Sequence, residues 1–160
     1  MSFLKNKKIL ISGMISNRSI AYGIAKSCYA QGADLAFSYQ SGRFKDRIST
    51  LAAGFECDVS QDQQIENLSD SIKQKWGMLD GFVHAIAFAP RDAIAGSFLD
   101  GFSRESFSIA HDISVYSFGA MTKSLLPLMK NRNAAIATLS YIGAERSVPG
   151  YNTMGLAKAS

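Results

Sequence analysis

Several things are scarce in these 160 residues, and each scarcity excludes a class of protein. There are only two cysteines, two histidines, three prolines and one tryptophan. The cysteines, Cys28 and Cys57, fall on an expected helix and an expected strand without metal-ligand spacing, so they read as small core residues of a reducing compartment. No cluster of His, Cys, Asp or Glu has the spacing of a metal site. No apolar run approaches the ~18–20 residues of a membrane span. The start, MSFLKNKKILISG, is basic and then apolar, but it leads into Gly13 without a small-residue cleavage site. It reads as a lysine-flanked first strand rather than a signal peptide. Charge is modest, 19% of residues with a net of +4. The basic residues are scattered without an aromatic stripe, which describes a solvated surface tolerant of anionic ligands, not a nucleic-acid face. Ser140 has no G-x-S-x-G elbow, which argues against a serine hydrolase.

What is present is an alternation of apolar strands and amphipathic helices. KKILIS, from Lys7, is a strand ending at Gly13. IAYGIAKSCYAQG follows as a helix, with Ile20, Ile24 and Cys28 as its stripe and Gly32 closing it. ADLAFSY is the second strand, FKDRISTLAA a helix with Phe44, Ile48 and Leu51 on one face, and FECDVS a short third strand. QQIENLSDSIKQKWG is a helix with the stripe Ile65, Leu68, Ile72 and Trp76. LDGFVHAIAFAP is a fourth strand running into Pro90. After a loop, Ser103 caps a long helix through about Met129, which Pro127 should end or kink. AAIATLS is the fifth strand. Near-continuous apolar strands between helices are what a parallel sheet covered on both faces requires. The expected fold is one three-layer α/β/α domain over residues 1–160, a Rossmann-type doubly wound parallel sheet. Ligands of such sheets bind beyond the carboxyl ends of the strands, where strand order reverses. Gly13, the Ile86–Ala89 segment and Ser140–Tyr141 all stand at such ends.

The first strand-to-helix turn carries one glycine, not the G-x-G-x-x-G dinucleotide fingerprint. Gly13 still permits a tight turn, and Ser19 can cap the helix and leave its free N–H groups facing a pyrophosphate. After the second strand stands Gln40, then Arg43, where an NAD-selective domain usually has an acidic residue. From the residues alone, NADH versus NADPH is open. Asp58 and Val59 could meet an adenine amino group and ring, but Asp58 reads equally as a strand-end turn residue. His84, inside an apolar strand, and His111, mid-helix, read as core histidines.

The stretch from Ser140 to Ser160 concentrates the chemistry. If a helix begins near Tyr151, then Tyr151 and Lys158 lie on one face, two turns and ~10 Å apart. That suits a phenol as proton donor with a fixed ammonium nearby. The ammonium is expected to favour the ionised phenol over its usual pKa of ~10.

At ISGMISNRSIAYGIA, CDVS, FVHAIAFAPRD, SFSIAHDIS and LSYIGAERSVPGYNTMGLAKAS the chain resembles the short-chain dehydrogenase/reductase superfamily. Within it, it is similar to the bacterial enoyl-(acyl-carrier-protein) reductases of type II fatty-acid synthesis. More typical members carry Tyr-x3-Lys, which would need tyrosine at 154. This chain has Met154 there and the pair Tyr151-x6-Lys158, with Tyr141 in place of the usual serine. The resemblance implies reduction of a trans-2-enoyl thioester on acyl carrier protein, an oxidoreductase reaction on a CH–CH group. It implies Tyr151, Lys158 and Tyr141 as catalytic residues, the last by shaping the pocket near the thioester. It implies cofactor contacts at Gly13, Ser19, Ile20, Gln40, Asp58, Val59, Ile86 and Lys158, and a substrate contact at Ala89. NADH is the expected cofactor, with NADPH second. A homotetramer, a cytoplasmic location and diphenyl-ether inhibitors at the nicotinamide site also follow from it. The family carries extra residues before CDV and continues past residue 160 with further strands and a lid. The chain is therefore expected to be an N-terminal part, its sheet uncovered beside the fifth strand and the isolated part poorly soluble or inactive. A 3-oxoacyl reductase of the same superfamily and a non-catalytic dinucleotide-binding module are the alternatives.

Overall fold

The structure, a computed structural model, describes residues 2–42 and 53–160. The expected helix over Phe44, Ile48 and Leu51, and Arg43 before it, lie outside the described residues. The described chain divides into two compact units. The first is Met1–Ala85 with Ala120–Thr138, and the second is Ile86–Gly119 with Leu139–Ser160.

The first unit holds five strands, β1 (Lys8–Ser12), β2 (Asp34–Tyr39), β3 (Ala53–Glu56), β4 (Gly81–His84) and β5 (Ala135–Thr138). All pair in parallel, in the order β3-β2-β1-β4-β5. The sheet is the parallel, Rossmann-type arrangement that the apolar runs predict. Strand order reverses between β2–β1 and β1–β4, so the carboxyl end of β1 is the switch point. In the centre, Leu10 stands opposite Ala36 of β2 and Phe82 of β4. Leu10, Ile11, Phe37 and Phe82 are all buried, as continuous apolar strands between covered faces must be. At the edge the opposite holds. Every residue of β5 is exposed, Ile136 among them.

Two helices of this unit show how sequence pattern became packing. In α1 (Ile20–Ala30) the buried positions are Ala21 and Ala25, with Ile24 and Cys28 only partly covered. Ile20, expected at the head of the stripe, is 70% exposed. The buried face is turned by one residue because small alanines let α1 approach β1 and β2 closely, and Ile20 stands at the first turn beyond that contact. In α2 (Asp62–Trp76) Ile65, Leu68 and Ile72 are buried as expected, each stabilising the fold by about 1.5–3 kcal/mol on full burial. Gly77 ends α2 in the left-handed conformation, and its N–H bonds the Lys73 carbonyl at 2.7 Å.

Asp80, just before β4, ties three segments together. Its carboxylate accepts the Lys8 N–H at 3.0 Å, Arg132 Nη2 at 2.7 Å and Lys7 Nζ at 3.4 Å. Burial pushes this carboxyl upward, but the Lys8 N–H, Arg132 and Lys7 outweigh it and hold it below the usual range. A carboxyl lowered in the folded state contributes stability that is complete above its unfolded value of about 4 and is lost as pH falls through the folded one. Lys7 and Arg132 are partly exposed, so screening takes most of the ion-pair energy. The main cost of Asp80→Ala is the stranded Lys8 N–H, about 1–3 kcal/mol. Urea unfolding at neutral pH should show this loss and a smaller one in acid. Equal losses at both pH values would count against the carboxylate.

The second unit is helical. A 3-10 turn (Arg91–Ile94) precedes α3 (Arg104–His111), one π-helical turn (Asp112–Tyr116), and α4 (Ser117–Met129), whose later part belongs to the first unit. A second 3-10 turn (Ile142–Ala144) precedes α5 (Asn152–Ala159). Ser103 caps α3 with a reciprocal capping box to Ser106. The long helix expected from Ser103 to Met129 is thus present, but the π turn interrupts it where the sequence carries no breaker. Pro127 does not end it, lying inside the last turn of α4. The fourth strand is shorter than its apolar run, stopping at His84. The third begins at Ala53, ahead of FECDVS, and ends before Cys57.

Candidate functional site

In the first unit the expected nucleotide-contacting residues gather at the carboxyl ends of three adjacent strands. After β1, Gly13 has φ 80°, a conformation that side chains other than glycine's rarely adopt, and it turns the chain toward α1. Ser19 caps α1 from an extended backbone, its Oγ accepting the Tyr22 N–H at 3.2 Å and donating to the Ser16 carbonyl at 2.7 Å. The first N–H groups of a helix have no intrahelical acceptor, so this end can receive an anion.

Beyond β2 and β3, the Gln40 side chain hydrogen-bonds Asp58. Asp58 also accepts Ser60 N at 3.0 Å and Ser60 Oγ at 2.8 Å, and its own N–H donates to Gln64 Oε1 of α2 at 2.8 Å. Burial raises the Asp58 carboxyl, but Ser60 and Gln40 together bring it below its usual value. Asp58 is therefore held ionised in an Asx turn onto Ser60, as a strand-end turn residue is, with Gln40 as a further partner. Val59 beside it is buried, whereas Ile20 is exposed. Sequence reading missed the Gln40–Asp58 pairing and the part of Gln64. The neighbouring Cys57 thiol is pushed up to about 12, first by burial and then by the Asp58 charge, which leaves it chemically quiet. His84 is buried beside Thr138, as a core histidine should be.

In the second unit α5 carries the other half of the candidate set. Tyr151 is its N-cap residue and Lys158 lies in its last turn. The rings of Tyr141 and Tyr151 pack edge to face, centroids 4.7 Å apart. Tyr141 is 48% exposed and Tyr151 is half-buried. Gly143, between them in sequence, has no room for a side chain: a Cβ there would stand 2.5 Å from Tyr151 Cδ1 and 3.2 Å from Tyr141 Cδ1. Lys158 Nζ donates to the Leu139 carbonyl at 2.7 Å, just past β5, which leaves further N–H bonds of the ammonium for a ligand. Met154, at the position where a Tyr-x3-Lys enzyme has its tyrosine, is only 7% exposed and packs with Ala89, Ala93, Ala110 and Ala157.

One electrostatic expectation is overturned. The Tyr151 phenol is raised above its ordinary pKa, first by burial and then by the Tyr141 phenol. Lys158 does not pull it down, and burial lowers the Lys158 ammonium itself. Two helical turns separate the groups along α5, and the ammonium is engaged by a backbone carbonyl. The Tyr151 phenol is therefore held in its neutral form.

Among the described residues no helix is long and apolar enough to cross a membrane.

A five-stranded parallel sheet with a glycine turn and a capped helix after β1 defines an α/β protein of the Rossmann type. The family described as enoyl-(acyl carrier protein) reductase matches residues 13–160, and the chain belongs to that family. It is 52% identical to the enoyl-(acyl-carrier-protein) reductase (NADH) of Neisseria meningitidis serogroup B, covering 100% of this chain and 64% of that protein. It is 51% identical to the enzyme of the same description from Aquifex aeolicus, again over 100% of this chain and 61% of that protein. The alignments span 166 residues, more than the chain's 160, in keeping with a shortened segment. The crystal structure of the Aquifex aeolicus VF5 enzyme superposes with a TM-score of 0.95 at 50% identity, over 98% of this chain and 64% of that one. The crystal structure of the Anaplasma phagocytophilum reductase in complex with NAD gives 0.93 at 40% identity, over 98% and 61%. The chain thus spans a little under two thirds of the length of these relatives.

Proposed function

We propose that the protein reduces trans-2-enoyl thioesters carried on acyl carrier protein, using NADH, in fatty-acid elongation. The observation that carries this reading is the layout of α5: Tyr151 against Tyr141, Met154 turned into an alanine-lined core, and Lys158 anchored on the Leu139 carbonyl. A Tyr-x3-Lys mechanism would need a hydroxyl at the position Met154 fills, which disfavours a 3-oxoacyl reductase. The relatives named for NADH, and the neighbour solved with NAD, support the choice of cofactor.

The residues present fit that cofactor. The N-terminus of α1 with Gly13, Ser19 and Ile20 would take the pyrophosphate. The ionised Asp58 with Gln40 and Val59 would take the adenosine, Lys158 the ribose hydroxyls beside the nicotinamide, and Ile86 the nicotinamide side. When bound, NADH supplies a hydride to the β-carbon of the enoyl group. Tyr151 holds its proton at the phenolic oxygen and donates it toward the thioester oxygen, where negative charge develops. Tyr141 fixes the edge of the Tyr151 ring and closes the pocket beside the thioester. Ala89 lies against the acyl chain. One domain over 1–160, a cytoplasmic homotetramer and diphenyl-ether inhibitors at the nicotinamide site belong to the same reading.

The test is NADH oxidation by the protein expressed from its complete gene. Trans-2-enoyl thioesters should be consumed and 3-oxoacyl thioesters left. The reverse preference overturns the reading, and NADH binding without turnover of either would mark a non-catalytic module. Lys158→Ala should weaken NADH binding and turnover together, as titration and steady-state rates will show. Unchanged NADH affinity would remove Lys158 from the ribose.

A further inference from the structure

The π turn between α3 and α4 bears on how the substrate edge of the site is held. Ser69 of α2 donates to the Ser124 carbonyl, while Ser27, Ser71 and Ser117 bond their own backbone four residues back, to Gly23, Asn67 and Ile113. Such local bonding is the ordinary habit of helical serine. Ser114, in the middle of the π turn, does otherwise. Its Oγ accepts the Phe88 N–H at 3.0 Å and donates to the Phe88 carbonyl at 3.1 Å. One hydroxyl thus satisfies both backbone groups of a residue 26 positions away, in a segment without a strand or helix of its own. The Phe88 ring is half exposed and does little to hold the segment. The next residue along the π turn, Val115, packs against the cluster of Ala89, Ala93, Ala110, Met154 and Ala157, as does Tyr151. The wider turn thus aims Ser114 at the Phe88 backbone while Val115 keeps its place in the core. Single π turns recur at functional sites because they re-aim side chains without ending a helix.

We infer that Ser114 is a positioning residue, which sets the Ile86–Ala89 segment relative to Tyr151. The inference rests on the proposed function, which places Ile86 at the nicotinamide and Ala89 at the acyl chain. Loss of the hydroxyl frees Phe88 and lets that segment shift, with no change at the strand ends that would hold the adenosine half of the cofactor. The experiment uses Ser114→Ala and Ser114→Thr in the protein from the complete gene. The readouts are kcat/KM for an enoyl thioester, the affinity for ADP-ribose, and hydrogen exchange at the Phe88 amide. Two lost hydrogen bonds lower kcat/KM by about tenfold or more in the alanine variant, with ADP-ribose affinity unchanged and Phe88 exchange accelerated. Threonine, which keeps the hydroxyl, restores kcat/KM and Phe88 exchange and leaves ADP-ribose affinity at the wild-type value. Wild-type kcat/KM in the alanine variant, a matching loss of ADP-ribose affinity, or an equal loss with threonine overturns the inference. If the wild-type protein reduces no enoyl thioester, the functional proposal fails by itself. Phe88 exchange then decides the clamp, since unaccelerated exchange in Ser114→Ala overturns it and acceleration reversed by threonine upholds it.

Discussion

Tyr151→Phe in the complete enzyme is expected to lower kcat by about a hundredfold to a thousandfold, the usual loss when one donor to a developing oxyanion is removed. NADH affinity should not change, because the hydroxyl is assigned to the substrate oxygen. The raised phenol gives this prediction a second signature. Burial and the neighbouring Tyr141 keep Tyr151 protonated above the ordinary tyrosine range, so the donor is intact at every pH below about 10. If Tyr151 is the titrating group, the wild-type rate stays level through neutrality and declines only in strong alkali as the proton is lost. A rate that rises as a group ionises near neutrality would mean that a phenolate, or another residue, does the work. Full activity in Tyr151→Phe would remove Tyr151 from the reaction.

Gly143→Ala should be nearly as damaging, although it adds one methyl group and touches no ionisable atom. The new Cβ would stand 2.5 Å from Tyr151 Cδ1 and 3.0 Å from Cε1, with Tyr141 Cδ1 at 3.2 Å. The tyrosine rings must therefore move. A displacement of about 1 Å at a reacting group can cost about a hundredfold in rate, and that is the fall in kcat expected here. NADH affinity should be preserved, which separates ring displacement from general unfolding. Wild-type kcat in this variant would show that the tyrosine pair tolerates repacking.

Much of this was legible in the sequence, for physical reasons that differ from place to place. Apolar runs such as ILIS and LAFS announced buried parallel strands because both faces of those strands are covered. The stripe Ile65, Leu68, Ile72 gave α2 because large side chains at helical spacing leave one way to bury them. The spacing of Tyr151 and Lys158 placed both on α5. Other features depend on contacts that a linear pattern does not encode. The buried face of α1 was misjudged by one residue because two alanines, not the larger Ile20, make the close approach. The fourth strand was read too long since the apolar run continues past His84 into residues without strand pairing, of which Ala89 is buried in the second unit. Nothing in DISVY announces a π turn, so Ser114 went unremarked. The direction of the Tyr151 shift was missed because it depends on burial and on Tyr141, not on the nearest cation in sequence. Nothing in the sequence marked Gly143 as the floor beneath two rings.

The alanine-lined seat of Met154 has a consequence for descent. Exchanging the two tyrosine spacings found among these reductases looks, on paper, like a change at one codon. Here a tyrosine at 154 would have to force its ring among Ala89, Ala93, Ala110 and Ala157, where overpacking costs about 1–3 kcal/mol. Each spacing is thus bound to its own packing, and exchanging one for the other calls for compensating changes among these alanines.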